Sequence, residues 1–440
     1  MTAGPGGAAA AGEEEVRRAV AEAHRREWAF VLAATARVTR DLDDAEECVQ
    51  DAYVAALDAW ARQGVPRNPG AWLTTAARHR ALDGLRRDRT LRTKLPLLVV
   101  PDSGAEPAEA GDSAIADDRL RLIFTCCHPA LAREAQVALT LRLVCGLTTA
   151  EIAQAFVVSE PTMAARVTRA KKKIAAARIA YRVPEAAELP DRIDAVLTVV
   201  HLLYTTGHTD PRGSGLIRAD LVDRAIGLAR MLRELMPDEP EAGGLLALLL
   251  ITDARRATRA DADGNLLLLE QQDRSRWDAS AIAEGCALVA EVLRRGPPGR
   301  FALQAAIAAV HAEAHSYPDT DWRQILALYD RLLKVWPTPV VALNRAVAVS
   351  MVCGPGAALD EIAMLERDGR LDGYRYLPSA KADLLRRLGR RTEARAAYRQ
   401  ALGLAENQAE RAFLAGRIAE LADHGADHGA SQDAGQDSGR

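Results

Sequence analysis

Residues 148–182 read TTAEIAQAFVVSEPTMAARVTRAKKKIAAARIAYR, and the reading of this stretch decides the fold class. Thr148 stands three residues before Glu151, the spacing of a capping box: the hydroxyl accepts from the amide of Glu151 while the carboxylate reaches back to the amide of Thr148. A helix through Phe156 follows. Val157, Val158 and Ser159 make a turn, Ser159 caps again, and a second helix begins around Glu160, Pro161 and Thr162 and continues through Arg178. This is helix-turn-helix spacing. Ile152, Ala153 and Phe156 on the first helix, with Met163, Ala164 and Val167 on the second, supply a small apolar core. From Arg166 to Arg182 the chain carries Arg166, Arg169, Lys171, Lys172, Lys173, Arg178 and Arg182 with no acid. Such a run is usually a solvated face; directly after a helix-turn-helix it reads as a DNA-contacting one.

The rest of the chain agrees with this all-helical beginning. Hydrophobic residues make up 49% and aromatic residues 4% of 440 residues, with recurrent alanine, leucine and arginine and few β-branched clusters, which predicts an all-α protein. The length predicts roughly two to four domains. A formal net charge of −3 averages over local asymmetry and excludes nothing. Six cysteines without a CxxC pair fit a reducing compartment, and no stretch approaches ~20 uninterrupted apolar residues, so a soluble cytoplasmic protein is expected.

Upstream, Asn68 and Pro69 read as a helix start, and the helix runs to about Arg89. Leu73, Ala77, Ala81 and Leu85 fall four apart on one side. Between Arg78 and Lys94 seven Arg and Lys face only Asp83 and Asp88. Before it, the segment from Asp43 to Tyr53 is acidic on one face and apolar on the other. Taken together, the acidic helix, the Trp72-bearing basic helix and the later helix-turn-helix resemble the extracytoplasmic-function sigma factors of RNA polymerase. The order of the two blocks, joined by an acidic linker of about twenty residues, is the most specific part of that resemblance.

The resemblance implies that the acidic helix docks on the clamp helices of the polymerase largest subunit through Asp44, Glu46, Glu47, Gln50 and Asp51. It implies that Asn68, Trp72, Arg78, His79, Arg86 and Arg87 hold melted minus-ten DNA; with few aromatic residues nearby, a pocket for an extruded base is favoured over extended stacking. At the double-stranded minus-35 element it implies contacts from Ser159, Glu160, Pro161, Thr162, Arg166 and Arg169, with Lys171, Lys172 and Lys173 on phosphate. Core RNA polymerase and promoter DNA are the implied partners, with no membrane, cofactor, metal or catalytic residue. The competing reading is a regulator that binds DNA without polymerase and dimerises through its repeats; the acidic helix argues against it.

The remainder of the chain, more than half of it, resembles the extension of one sigma-factor subgroup. Its last third repeats: Ile325, Tyr329 and Leu332 return in role as Ala394, Tyr398 and Ala401, 69 residues on. This resembles tetratricopeptide helix pairs, with Gly389 in the turn of the clearest unit, Arg375 to Gln408. The expected organisation is a disordered leader (1–12), sigma region two (13–95), a flexible acidic linker (96–117), sigma region four (118–183), a helical extension (184–300), tetratricopeptide-like repeats (301–424) and a disordered tail (425–440). The repeats offer a surface for a protein partner or for the rest of the chain. Asp273, Arg274, Arg276, His311, His315 and Asp321 form the densest polar set of the extension. Without a phosphate loop, nucleophile elbow or HExxH they read as structural ion pairs. Cys126, Cys127 and His128 are adjacent on a helix and diverge by about 100° per residue, so buried small side chains are expected there rather than zinc ligands. After Tyr204 the chain reads Thr205-Thr206-Gly207-His208, where the subgroup tends to show Asn-Glu-Gly-Tyr.

Overall fold

Capping chemistry sets the first helices. The computed structural model describes residues 5–94, 118–156, 158–209, 217–262 and 264–423. Helix α1 spans Pro5–Thr39, so its first turns reach into the segment read as a leader. Arg40 then takes positive φ, and the Asp41 carboxylate accepts from the amides of Asp43 (2.7 Å) and Asp44 (3.0 Å) to start α2 (Leu42–Gln63). Gly64, at φ +81°, ends α2. The Asn68 side chain accepts from the amide of Ala71 at 3.0 Å and opens α3 (Pro69–Lys94). The three helices bury Leu32, Val49, Ala56 and Trp60 with Leu73, Ala77 and Ala81. Leu85 does not continue that stripe: it is 37% exposed, because α3 has by then run past its neighbours. The acidic linker and the tail lie outside the described residues.

A second set of short helices follows: α4 (Asp118–Cys126), α5 (Arg133–Leu139), α6 (Thr149–Ala155) and α7 (Glu160–Ala176), with a π-helical turn at Thr140–Val144 after α5. The two sets form one unit, residues 1–200. Trp28 Nε1 donates to the Leu143 carbonyl at 3.1 Å, and the Tyr181 hydroxyl donates to the Ala33 carbonyl at 3.0 Å. Gly146, at φ +68°, lies so close to α1 that a Cβ there would fall 2.9 Å from the His24 ring and 3.0 Å from Trp28. Helix α8 (Leu189–His208) starts on this unit, where the Arg192 guanidinium donates to the Phe124 carbonyl at 2.6 Å.

The other unit, residues 201–440, is built from α9 (Ala219–Leu235), α10 (Pro240–Asp253), α11 (Ala279–Arg295), α12 (Arg300–Glu313), α13 (Trp322–Val335), α14 (Pro339–Val352), α15 (Pro355–Asp368), α16 (Tyr376–Arg387), α17 (Arg391–Leu404) and α18 (Gln408–Asp423). Helix α10 is buried almost all round, from Ala242 to Ile251, and is the centre of the first half. Gly244 lets the α12 backbone approach closely: a Cβ would meet the Ala302 nitrogen at 2.6 Å. Gly207 does the same for α9, where a Cβ would meet Leu221 at 2.8 Å.

Sequential hairpins then stack. Gly389, at φ +74°, turns the chain between α16 and α17. The middle member of the repeat is Ala358, Ile362 and Leu365 on α15, which join the core cluster of Leu343, Ala346 and Leu384. Ala358 follows Ile325 by 33 residues and precedes Ala394 by 36, so the 69-residue spacing is two unequal units. Among the described residues there is no β-strand, only an isolated bridge between Ala260 and Leu266. No described helix is long and apolar enough to cross a membrane.

Candidate polymerase and nucleic-acid interface

The helix-turn-helix is built by local hydrogen bonds. The Thr148 hydroxyl accepts from the Glu151 amide at 3.2 Å, and the Glu151 carboxylate accepts from the Thr148 amide at 2.7 Å, closing the capping box. Ser159 begins α7, its hydroxyl accepting from the Thr162 amide at 3.4 Å. The buried side of α7 is Met163, Val167, Ala170, Lys171 and Ile174; Ala164, assigned to the core from sequence, is exposed. Ser159, Glu160, Pro161, Thr162, Arg169, Lys172 and Lys173 are exposed and Arg166 is half-buried, so the start of α7 and its cationic side face outward.

Lys171 is the exception. Its ammonium, 9% exposed, is held at 2.6 Å by Asp43 Oδ1 and at 2.7 Å by Glu46 Oε2, both on α2. Burial pulls this ammonium down, but Glu46 and Asp43 outweigh burial and hold it above its ordinary value. Glu46 also pairs with Arg142 from the π-helical turn, and it accepts from Gln50 Nε2 at 3.3 Å. Glu46, expected on an open polymerase-docking face, is therefore buried between two cations of the second helix set. Lys171, expected on phosphate, is its partner. The two residues lie 125 positions apart, and no local pattern in the sequence pairs them.

The rest of the acidic set stays outward. Asp44, Glu47, Gln50 and Asp51 are exposed, with Asp44, Glu47 and Asp51 at the three- and four-residue spacing of one helix stripe. Their joint field is registered by Cys48, whose thiol is pushed up by burial and then by Asp44, Glu47 and Asp51. Asp51 lies 3.7 Å from Arg80 of α3.

On α3, Arg78, His79, Arg86 and Arg87 are exposed, His79 and Arg86 seven residues apart and so on one side. Arg86 lies 3.4 Å from Asp83. Asn68 spends its side-chain oxygen on capping while remaining exposed. Trp72 is half-buried, its ring edge-on to Trp60 with centroids 5.8 Å apart, so it packs on the bundle and leaves one side accessible. α3 thus presents an exposed cationic side beside one aromatic ring.

The other polar candidates have structural roles. Cys126 and Cys127 are buried; burial pushes both thiols up, Cys127 to about 11, so neither is a thiolate at neutral pH. Among the described residues no group of His, Cys, Asp and Glu is placed to hold a metal ion. Asp273 and Asp321 cap helical turns by accepting from the amides of Ser275 (3.0 Å) and Gln324 (2.9 Å). Arg274 covers the Trp277 ring at 4.7 Å.

An acidic stripe on one helix, an exposed basic helix and a helix-turn-helix with a cationic outer side define a DNA-binding transcription protein. Residues 22–90 match Sigma-70 region 2 and residues 121–174 match Sigma-70, region 4. Residues 192–293 match a Family of unknown function (DUF6596). An uncharacterized protein of Rhizobium meliloti (strain 1021) is 44% identical over 397 residues, covering 89% of this chain and 93% of that one. No solved structure matches the chain. The chain belongs to the extracytoplasmic-function sigma factors of the sigma-70 family, in a form with a C-terminal extension. Such factors are non-enzymatic; they join core RNA polymerase, recognise promoter DNA and initiate transcription.

Proposed function

We propose that Asp44, Glu47, Gln50 and Asp51 form the stripe that docks on core RNA polymerase. In this reading Arg78, His79, Arg86 and Arg87, with Trp72 beside them, hold the melted minus-ten element in the cytoplasm. The start of α7 reads the minus-35 element. The observation that carries this is the opposition of charge: an outward acidic stripe on α2, and outward cations on α3 and α7. Glu46 and Lys171 act as a latch between α2 and α7: each lies on the buried side of a helix whose other side faces outward, and each satisfies the other while the latch is closed. The outward residues of both surfaces can engage with the pair closed, and parting it adds Glu46 to the docking face of α2. Co-purification of the protein with core polymerase tests the docking assignment, since a regulator that works on DNA alone does not co-purify.

Within α7 the two ends divide the work. Arg166→Ala is expected to weaken promoter binding by about 1–3 kcal/mol and relax preference at one minus-35 position, as loss of a base-edge contact does. Lys172→Ala is expected to weaken all sequences alike and flatten the salt dependence, as loss of a phosphate contact does. Binding titrations on promoter variants at two salt concentrations check this, and equal losses on every variant for both substitutions would refute the division.

The extension modulates activity in this reading and is needed for it. Ile193, Val196 and Leu197 on the first half of α8 are buried, and Arg192 donates to Phe124, so a chain ending near Pro184 loses packing from the second helix set. Transcription in vitro from a cognate promoter is expected to be lost by that truncation. Equal activity of the two proteins would remove the extension from the mechanism.

A further inference from the structure

The second unit contains a cavity of about 390 Å³, at the smaller end of the roughly 300–1,000 Å³ range of small-molecule sites. It is lined from helices far apart in sequence, with His201 on α8, Arg255 just beyond α10, and His311 on α12. Trp277, Tyr329 and Trp336 supply flat apolar walls. Asn344, which also lines it, is exposed, so the cavity reaches solvent beside α14.

Its polar chemistry is lopsided. Arg255 lines the wall, and among the described residues no carboxylate pairs with its guanidinium. Burial lowers the Arg255 pKa; Tyr204 works against this, and a second cation, Arg274, adds to the lowering. Arg274 donates to the carbonyls of His311 (2.6 Å) and Ala314 (2.7 Å), and its other terminal nitrogen is buried without a partner. The His311 Nδ1 is also buried without a partner. A desolvated guanidinium without a counter-charge is costly to a fold, and an unpaired buried polar atom adds to that cost. The neighbouring Arg256, by contrast, is fully matched by Asp253 and Asp223 at 2.7 Å each. The chain thus supplies acids where they stabilise and leaves this wall positive.

We propose that the cavity binds a small organic carboxylate, its carboxylate paired with the Arg255 guanidinium and its flat apolar body against Trp277, Tyr329 and Trp336. A guanidinium fork matches a carboxylate in two parallel hydrogen bonds, which sets both charge and orientation. The aromatic walls suit an aryl or indolyl body rather than a sugar or a polyphosphate. The lining of this site shares no residue with the polymerase and DNA surfaces.

Isothermal titration of the full-length protein with phenylacetate and indole-3-acetate, against phenylacetamide and indole-3-acetamide, tests the proposal. At least one acid is expected to bind saturably, with its amide roughly tenfold or more weaker, because the amide keeps the shape and lacks the charge. Arg255→Gln is expected to weaken the acid by a similar factor while its melting temperature stays at or above that of the parent, since it orphans no carboxylate. Should that variant not fold, Ala308→Phe, which fills the cavity from α12 without touching the charge, is expected to abolish binding. Failure of both acids to saturate at millimolar concentration, equal binding of acid and amide, or unaltered binding by a folded variant would each overturn the assignment.

Discussion

Lys171→Ala is expected to tighten binding to core RNA polymerase roughly tenfold, whereas Glu47→Lys with Asp51→Lys is expected to abolish it. The first effect follows from the latch. Glu46 is buried, and removing Lys171 leaves it with Arg142 and Gln50. Breaking a fully buried ion pair by deleting one partner costs about 3–5 kcal/mol; here Glu46 keeps Arg142 and Gln50, and about 1–2 kcal/mol is the appropriate share. That share falls on the closed arrangement alone, so the open population rises by the corresponding factor. The second effect follows from repulsion at a surface whose stripe is solvated in the free protein and contributes little to its stability. Fluorescence anisotropy with labelled protein and core polymerase measures both, and circular dichroism checks that each variant folds. Parent-like affinity of Lys171→Ala would dismiss the latch; parent-like affinity of the double reversal would dismiss the docking stripe. Lys172→Ala is the control, since Lys172 is exposed and is expected to leave core affinity unchanged.

What the sequence shows well is what local chemistry decides. Thr148 with Glu151, Ser159 with Thr162, and Asn68 with Ala71 are caps closed within three residues, and each forms as its spacing predicts. The all-helical class is equally legible, because alanine, leucine and arginine dominate along the chain. What is hidden depends on contacts far apart in sequence. Glu46 and Asp51 carry the same charge five residues apart, yet one is buried and the other exposed: Glu46 falls on the face of α2 that buries Leu42, Val49 and Tyr53, and the cations that meet it there, Arg142 and Lys171, come from far along the chain. Leu85 extends a correct periodicity past the point where a partner helix exists to cover it. The middle repeat is concealed because 33- and 36-residue units keep their sum but break a 34-residue register. The cavity is invisible for the same reason: its walls come from residues between His201 and Asn344 that share no motif.

Acidification is expected to destabilise the extension more than its exposed charges would suggest. Three histidines of that unit are held neutral: burial first, then neighbouring arginines, pull His201 and His311 down to about 4 and His208 to about 2. The cations responsible are Arg300 at His201, Arg255 and Arg274 at His311, and Arg259, Arg255 and Arg256 at His208. In the unfolded chain each titrates near about 6.5. Between about 6.5 and the folded values the unfolded state binds more protons, so stability is full above that window and is lost as pH falls through it. By pH 5 the loss is about 1–2 kcal/mol for each histidine, and the three together lower the melting temperature on the order of 10 °C for a unit of this size. Thermal denaturation at pH 7.5 and pH 5, followed by circular dichroism, measures it. Carboxylates also titrate near the lower pH, so the histidine share is isolated by His201→Gln with His311→Gln, which is expected to lower the melting temperature at pH 7.5 but to flatten its pH dependence. A parent melting temperature that is level across this range, or a double variant with the parent's slope, would show that these imidazoles are not held neutral by their burial and the arginines around them.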